Sequence, residues 1–232
     1  MPKARPDRIE DLVRSWTGAD PLRTSIYRFF DESDQLLYVG ISDAPAWWIA
    51  QANTLAHLRG WSPFIAMQIE YSLIERTVER ELIPVAKALN IGVTAWSPLA
   101  GGVLTGKYHG HGSSEQARMS TDMMKQFLPE KERADRIVAA VKKVADQTGH
   151  SLAQVALAWL RYRPVPVIPI IGARKLSQLQ DNLASLDLTL SADQLKALDE
   201  SSQIELGFPQ SMYAKELART FAYGGLRDQI LA

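Results

Sequence analysis

The chain has 232 residues, enough to bury a substantial core as one domain, since parallel barrels commonly run to about 250 residues. Its 26 basic residues balance 26 acidic ones, so no long-range field draws in nucleic acid or a membrane surface, and a small-molecule partner is expected. Cysteine is absent, no apolar run approaches the roughly 20 residues of a membrane span, and Met1 leads into Pro2-Lys3-Ala4-Arg5 without the apolar segment of a secretory signal. Disulfides and thiolate metal sites are excluded, and a cytoplasmic protein fits.

Residues 8–16 read two ways: Ile9, Leu12, Val13 and Trp16 have helical spacing, yet the run is short enough for a strand, and helix is favoured. Residues 21–33 place Leu22, Ile26, Phe29 and Phe30 on one apolar helical face, which predicts a helix. Residues 36–41 read as a buried strand of the kind covered on both faces. Asp43-Ala44-Pro45-Ala46 pairs a capping residue with a nearby proline and predicts a helix over 44–57. A strand over 64–69, a helix over 77–89 ended by Asn90, and a strand over 91–96 follow.

Residues 99–129 exceed the usual 2 to 6 residues of a barrel connection. Their glycines (Gly101, Gly102, Gly106, Gly110, Gly112) suggest close backbone approach to a ligand, or mobility. Helices are predicted over 130–148 and over 151–161, the second capped by Ser151. A last strand covers 165–171, although its prolines suit a central strand poorly. Helices over 176–185 and 192–201 complete the pattern, and the weakly patterned tail from Gln203 is expected to wrap the sheet or to line a pocket mouth.

Three of the strands share a design. They end at Gly40-Ile41-Ser42-Asp43, at Met67-Gln68-Ile69-Glu70-Tyr71 and at Ala95-Trp96-Ser97-Pro98, each an apolar run stopping at polar or aromatic groups before a helical pattern. That is the βα repeat of a parallel barrel, whose working groups sit where strands end.

Four ordered pieces make the pattern more specific: Gly40-Ile41-Ser42-Asp43; Gln68-Ile69-Glu70-Tyr71-Ser72-Leu73; Trp96-Ser97-Pro98-Leu99 with Gly101-Gly102-Val103-Leu104-Thr105-Gly106-Lys107-Tyr108; and Ile171-Gly172-Ala173-Arg174 with Gln178 and Asn182. Together they resemble the C-terminal part of the aldo-keto reductase family, in the branch of potassium-channel β-subunits and bacterial aldehyde reductases. The resemblance implies an α/β fold, an incomplete (β/α)8 TIM barrel retaining roughly strands 5 to 8 with C-terminal helices, plus a remnant of strand 4 if Ile9-Glu10-Asp11-Leu12 belongs to it. It also implies NADP(H) bound across the strand ends. Residues 36–232 would form this cofactor-binding half, and residues 1–35 a divergent segment packed against it.

The site residues follow from the same resemblance. Ser42, Asp43 and Gln68 match the positions that hold the nicotinamide carboxamide, which needs donors and acceptors alike. Asp43 stands where the family more often has asparagine; an ionised acid cannot donate, so one contact is expected to be lost. Trp96 matches the aromatic that stacks on the nicotinamide, although from pattern alone it reads as core. Ser97, Pro98, Leu99, Gly101, Thr105 and Lys107 match the loop along the pyrophosphate; a flexible glycine loop with a solvated lysine is the plainer alternative. Arg174, Lys175 and Gln178 open a helix after Gly172. Two cations at a helix N-terminus oppose its dipole, and an anion such as the adenosine 2′-phosphate would relieve the conflict, favouring NADP over NAD. Asn182 matches a residue contacting adenine.

Family members reduce carbonyls by hydride transfer, with a tyrosine tuned by a lysine and an aspartate giving the proton and a histidine orienting substrate. Those four belong to the first half of the barrel, and 35 residues precede Leu36. No histidine falls near Ser15 or Trp16, and Tyr27 lies on an expected helix. His57 and His150 stand at helix ends, and His109 and His111 in a glycine loop, so no catalytic or metal-binding residue is assigned. The expectation is an aldo-keto reductase-like enzyme with impaired turnover, or alternatively a non-catalytic NADP-binding sensor. An unclosed barrel would expose two parallel edges and self-associate.

Overall fold

The computed structural model describes residues 25–30, 36–107, 131–213 and isolated positions after 214. Five strands form one sheet in the order β1 (Ser25–Phe30), β2 (Leu36–Ser42), β3 (Phe64–Glu70), β4 (Gly92–Trp96) and β5 (Val167–Pro169). β2 to β5 are parallel, while β1 runs antiparallel to β2 with Ser25 opposite Ser42 and Tyr27 opposite Gly40. Helices α1 (Ala46–Arg59) and α2 (Leu82–Ala88) cross between the first parallel strands. Helices α3 (Lys131–Thr148) and α4 (Leu152–Leu160) precede β5, and α5 (Leu176–Leu183), α6 (Ala192–Ser202) and the short α7 (Gln210–Tyr213) follow it.

The strand alternation sorts side chains onto two faces. Ile41, Met67, Ile69, Val93, Ala95 and Val167 are buried and join one core with Ile49 and Ala52 of α1, Ile83 of α2, Ile137 and Val141 of α3, and Trp159 of α4. The opposite face carries Gln68, Glu70, Thr94 and Trp96, all partly open, and Ile168, which is 65% exposed. One side of the sheet is therefore packed and the other remains partly open among the described residues. β2 is the exception: Val39, Gly40, Ile41 and Ser42 are all buried, so both of its faces are covered there, as expected.

Several elements differ from the sequence expectation, each for a physical reason. Within the predicted helix 21–33, residues 25–30 are strand β1. The spacing of Ile26, Phe29 and Phe30 satisfies a helix, but the unpaired edge of β2 offers a full ladder to this run of β-forming residues. The second parallel edge is consequently absent, because β1 covers it. The predicted helix 77–89 is split into a 3-10 turn, Thr77–Glu79, and α2; Pro84 lacks the N–H that would bond back to residue 80. β5 is shorter than predicted, and its prolines are explained by its place at the edge. The Pro166 carbonyl accepts from the Val93 N–H and the Ile170 N–H donates to the Ala95 carbonyl; in the alternation of a parallel ladder Pro169 then faces away from β4, and its missing donor falls on the unpaired side. The predicted helix 8–16, and with it any strand-4 remnant, lies outside the described residues.

α1 begins at Ala46 with Pro45 in the capping position and ends at Gly60, whose φ of 64° allows the left-handed turn. Asn53 of α1 clamps β3: its Nδ2 donates to the Phe64 carbonyl at 2.9 Å and its Oδ1 accepts from the Phe64 N–H at 2.8 Å. α4 carries the predicted Ser151 cap. The Ser151 hydroxyl accepts from Gln154 N–H and donates to Asp181 of α5 at 2.9 Å, tying the two helices together. Among the described residues no helix is long and apolar enough to cross a membrane.

Candidate functional site

The register of the parallel strands brings the polar strand ends into one row. Ser42 pairs with Gln68, Gln68 with Thr94, and Glu70 with Trp96. Asp43, just past β2, takes a left-handed conformation with φ of 49° and donates its N–H to the Gln68 carbonyl at 3.1 Å. Its carboxylate is doubly engaged: Oδ1 accepts from Trp96 Nε1 and Oδ2 from the Ser42 hydroxyl, both at 3.2 Å. Backbone and side-chain bonds thus join Ser42, Asp43, Gln68 and Trp96 into one assembly. The acid that would lose one contact by being unable to donate is used here as an acceptor for an indole N–H.

Beyond Trp96 the chain makes a tight left-handed path. Ser97, Ala100, Gly101, Gly102 and Gly106 all have positive φ, from 48° at Ala100 to 97° at Gly102. The Ala100 N–H donates to Ser97 and the Gly102 N–H to Leu99, both at 2.8 Å, while the Thr105 hydroxyl donates to the Gly102 carbonyl at 2.7 Å. A β-carbon on Gly102 would fall 2.5 Å from Lys107 Nζ, so the lysine folds directly over this glycine. The loop thereby presents backbone and one ammonium in the same place. Pro98 and Leu99 belong to this turn; residues 108–130, including Tyr108, His109 and His111, lie outside the described residues.

The third group follows β5. Gly172 is in open space, Arg174 and Lys175 are exposed, and α5 starts at Leu176. Gln178 Oε1 accepts from the Arg174 N–H at 2.9 Å and the Lys175 N–H at 3.3 Å, which satisfies backbone donors ahead of the helix and leaves the charge of the two side chains unaffected. What remains available for an anion is the pair of side chains. Asn182, one turn on, is 94% buried, at 6% exposure.

Sequence reasoning did not single out Glu70. It is half-buried, two residues past Gln68 on the same face, and its carboxyl is pushed up to about 7 by burial first and then by the charges of Glu75 and Asp43. Its spacing to Gln68 was readable; the approach of Glu75 was not. Tyr71 also went unassigned, and it is fully buried in the helix layer. Its hydroxyl donates to Glu79 at 2.7 Å and its ring meets Trp159 edge-on at 5.6 Å; burial and Glu79 push its phenol above the ordinary range. His57 is exposed on α1, the His150 ring lies 2.8 Å from the Thr148 carbonyl, and no group of three metal-ligating side chains occurs among the described residues.

A parallel sheet with polar ends in register and a glycine loop after its third parallel strand is the arrangement the four motifs anticipated. The sequence profile of the aldo/keto reductase family matches residues 20–203. The chain belongs to the aldo/keto reductase family. Among its curated relatives, a Saccharomyces cerevisiae protein carrying an aryl-alcohol dehydrogenase name is 28% identical over 226 residues, 94% of this chain and 59% of its own length. The Bacillus subtilis uncharacterized oxidoreductase YrpG is 33% identical over 72% of this chain and 49% of its own length. The aryl-alcohol dehydrogenase [NADP(+)] of Phanerodontia chrysosporium is 30% identical over 77% of this chain and 47% of its own length. The chain thus spans about half the length of these relatives.

Proposed function

We propose that this aldo/keto reductase family member is an NADP(H)-dependent oxidoreductase that reduces a small carbonyl compound by hydride transfer, with impaired turnover. The hydrogen-bonded row of Ser42, Asp43, Gln68 and Trp96 at the strand exits carries the proposal, because it offers a flat ring beside a donor and acceptor set suited to a carboxamide. In this reading Ser42 and Gln68 hold the carboxamide and Trp96 supplies the stacking surface. Ser97, Pro98, Leu99, Gly101, Thr105 and Lys107 follow the pyrophosphate, where the cradle over Gly102 has no room for a side chain. Gly172, Arg174 and Lys175 receive the 2′-phosphate, Gln178 braces their backbone, and Asn182 lies toward adenine. The nicotinamide, when bound, supplies the hydride; the protein orients it.

NADP rather than NAD is supported by the two exposed cations ahead of α5 and by the cofactor in the Phanerodontia chrysosporium relative's name. Impairment is supported by the state of Tyr71, whose hydroxyl is committed to Glu79 on the packed side of the sheet. General acid catalysis typically contributes roughly 100- to 10,000-fold, so a site with no proton donor assigned among the described residues is expected to turn over slowly even with cofactor bound. The same observation supports a second reading, a non-catalytic NADP-binding sensor. Self-association through the exposed edge of the partial barrel and a cytoplasmic location belong to the proposal, the absence of cysteine being compatible with the latter.

Titration of the purified chain with NADPH, followed by tryptophan fluorescence and then by NADPH oxidation with a nitrobenzaldehyde, separates the outcomes. Quenching with slow turnover is the expected result. Quenching with none selects the sensor, and absence of any binding overturns the cofactor assignment.

A further inference from the structure

We infer that Asp43 and Glu70 stand beside Trp96 as an acidic pair that makes this site discriminate between oxidised and reduced cofactor, favouring the cationic nicotinamide of NADP+ over the neutral ring of NADPH. The inference rests on the cofactor reading above and goes beyond it, because nothing in that reading distinguishes the two redox forms.

The geometry puts both carboxylates on the β2–β3 side of Trp96, Glu70 on the neighbouring strand and Asp43 at the end of the next one. Asp43 is held against the indole by the bond from Trp96 Nε1 at 3.2 Å, and it cannot swing away without losing the bond from Ser42 and the anchor of its own N–H on Gln68. Glu70 is the direct cross-strand partner of Trp96 and lies on the same face as Gln68. The charges that raise Glu70 are those of Glu75, from the turn after β3, and Asp43, both of them acidic. A neutral amide at position 43, the more frequent residue in the family, would make the same contact to the indole without the charge.

NADP+ and NADPH share the adenine, the 2′-phosphate and the pyrophosphate. They differ by one positive charge on the ring, so a charge beside Trp96 acts on the difference between them and largely cancels elsewhere. Unit charges several Å apart in a partly wet site shift that difference by about three- to tenfold per carboxylate. The Glu70 carboxyl, pushed up to about 7, is mostly neutral at pH 6 and mostly ionised at pH 8, so its share of the preference switches on across that interval. The 2′-phosphate also titrates near pH 6, but equally in both forms, and drops out of the ratio.

Isothermal titration calorimetry of the full chain with NADP+ and with NADPH, at pH 6 and pH 8, tests this without reference to turnover. In the unaltered chain the ratio of the NADPH Kd to the NADP+ Kd should rise about three- to tenfold from pH 6 to pH 8. Asp43→Asn, which keeps an oxygen for the indole N–H, should lower the ratio about three- to tenfold at both pH values. Glu70→Gln should flatten the pH dependence while leaving the pH 6 ratio near that of the unaltered chain. Two forms that bind with one ratio in all three proteins and at both pH values would overturn the inference and leave the cofactor reading standing. Failure of the unaltered chain to bind either form would overturn both.

Discussion

Glu70 shows how far one side chain depends on its neighbours. Its folded-state value of about 7 exceeds the ordinary 4.5, so between those values the unfolded chain releases a proton that the folded chain keeps. Stability therefore falls as pH rises through that window, and the loss is complete above pH 7. Glu70→Gln should accordingly gain stability relative to the unaltered protein by about 1 kcal/mol more at pH 8 than at pH 5, the half-exposed position reducing the full linkage value. Urea unfolding at the two pH values checks this, and an equal difference at both would contradict the burial. In sequence, Gln68 and Glu70 are visibly two apart on a strand. The raised carboxyl is not visible, because its main cause is burial in the assembled sheet, and the next is Glu75, which Ser72 turns back toward it by accepting from the N–H groups of Ile74 and Glu75. Asp43 and Trp96 were readable as strand-end residues; their mutual bond, joining positions 53 apart, required the register of three strands.

At the scale of elements, capped and amphipathic helices were the legible part. Ser151 before an apolar run, with Gln154 three residues on, announces the start of α4, and both halves of that capping box form. Because the Ser151 hydroxyl also reaches Asp181, Ser151→Ala should cost about 1 to 2 kcal/mol, read as a lowered urea midpoint, with the contact between α4 and α5 as the first to loosen. The strand Ser25–Phe30 was not legible, since Ile26, Phe29 and Phe30 satisfy the helical period and only the vacant side of β2 decides otherwise. The split at Pro84 was available in principle, as a proline three positions into a helix permits a start at Leu82 but not a helix continuous from Thr77.

The whole molecule is held together by a polar centre that no local pattern revealed. Asp199 Oδ1 accepts from Trp159 Nε1 at 2.9 Å and from Arg163 at 3.0 Å, and it lies 3.3 Å from Arg76. Arg163 stacks 3.9 Å from the Trp159 ring centre, and Arg76 grips Glu79 with two bonds of 2.8 and 2.9 Å. The end of β3 is linked through Glu79 to α4 and α6 at one point. Asp199→Ala removes the carboxylate partner of the largely buried Arg163 and the acceptor of Trp159 Nε1, while Arg76 keeps Glu79, and should cost about 2 to 4 kcal/mol, seen as a drop in thermal midpoint. That magnitude exceeds the loss expected for any exposed ion pair here, such as Lys131 with Asp135. The edge strand β5 makes the complementary prediction: Ile168→Lys should reduce self-association in sedimentation velocity, and an unaltered sedimentation coefficient would locate the contact elsewhere.

Pro169 limits what form such a contact takes. An incoming segment laid alongside β5 finds a nitrogen with no hydrogen to offer where a ladder would need one, so continuous backbone zippering stalls at that rung. Association at this margin must be won by side chains meeting across a gap, which favours a specific, shape-matched counterpart over indiscriminate stacking of sheets.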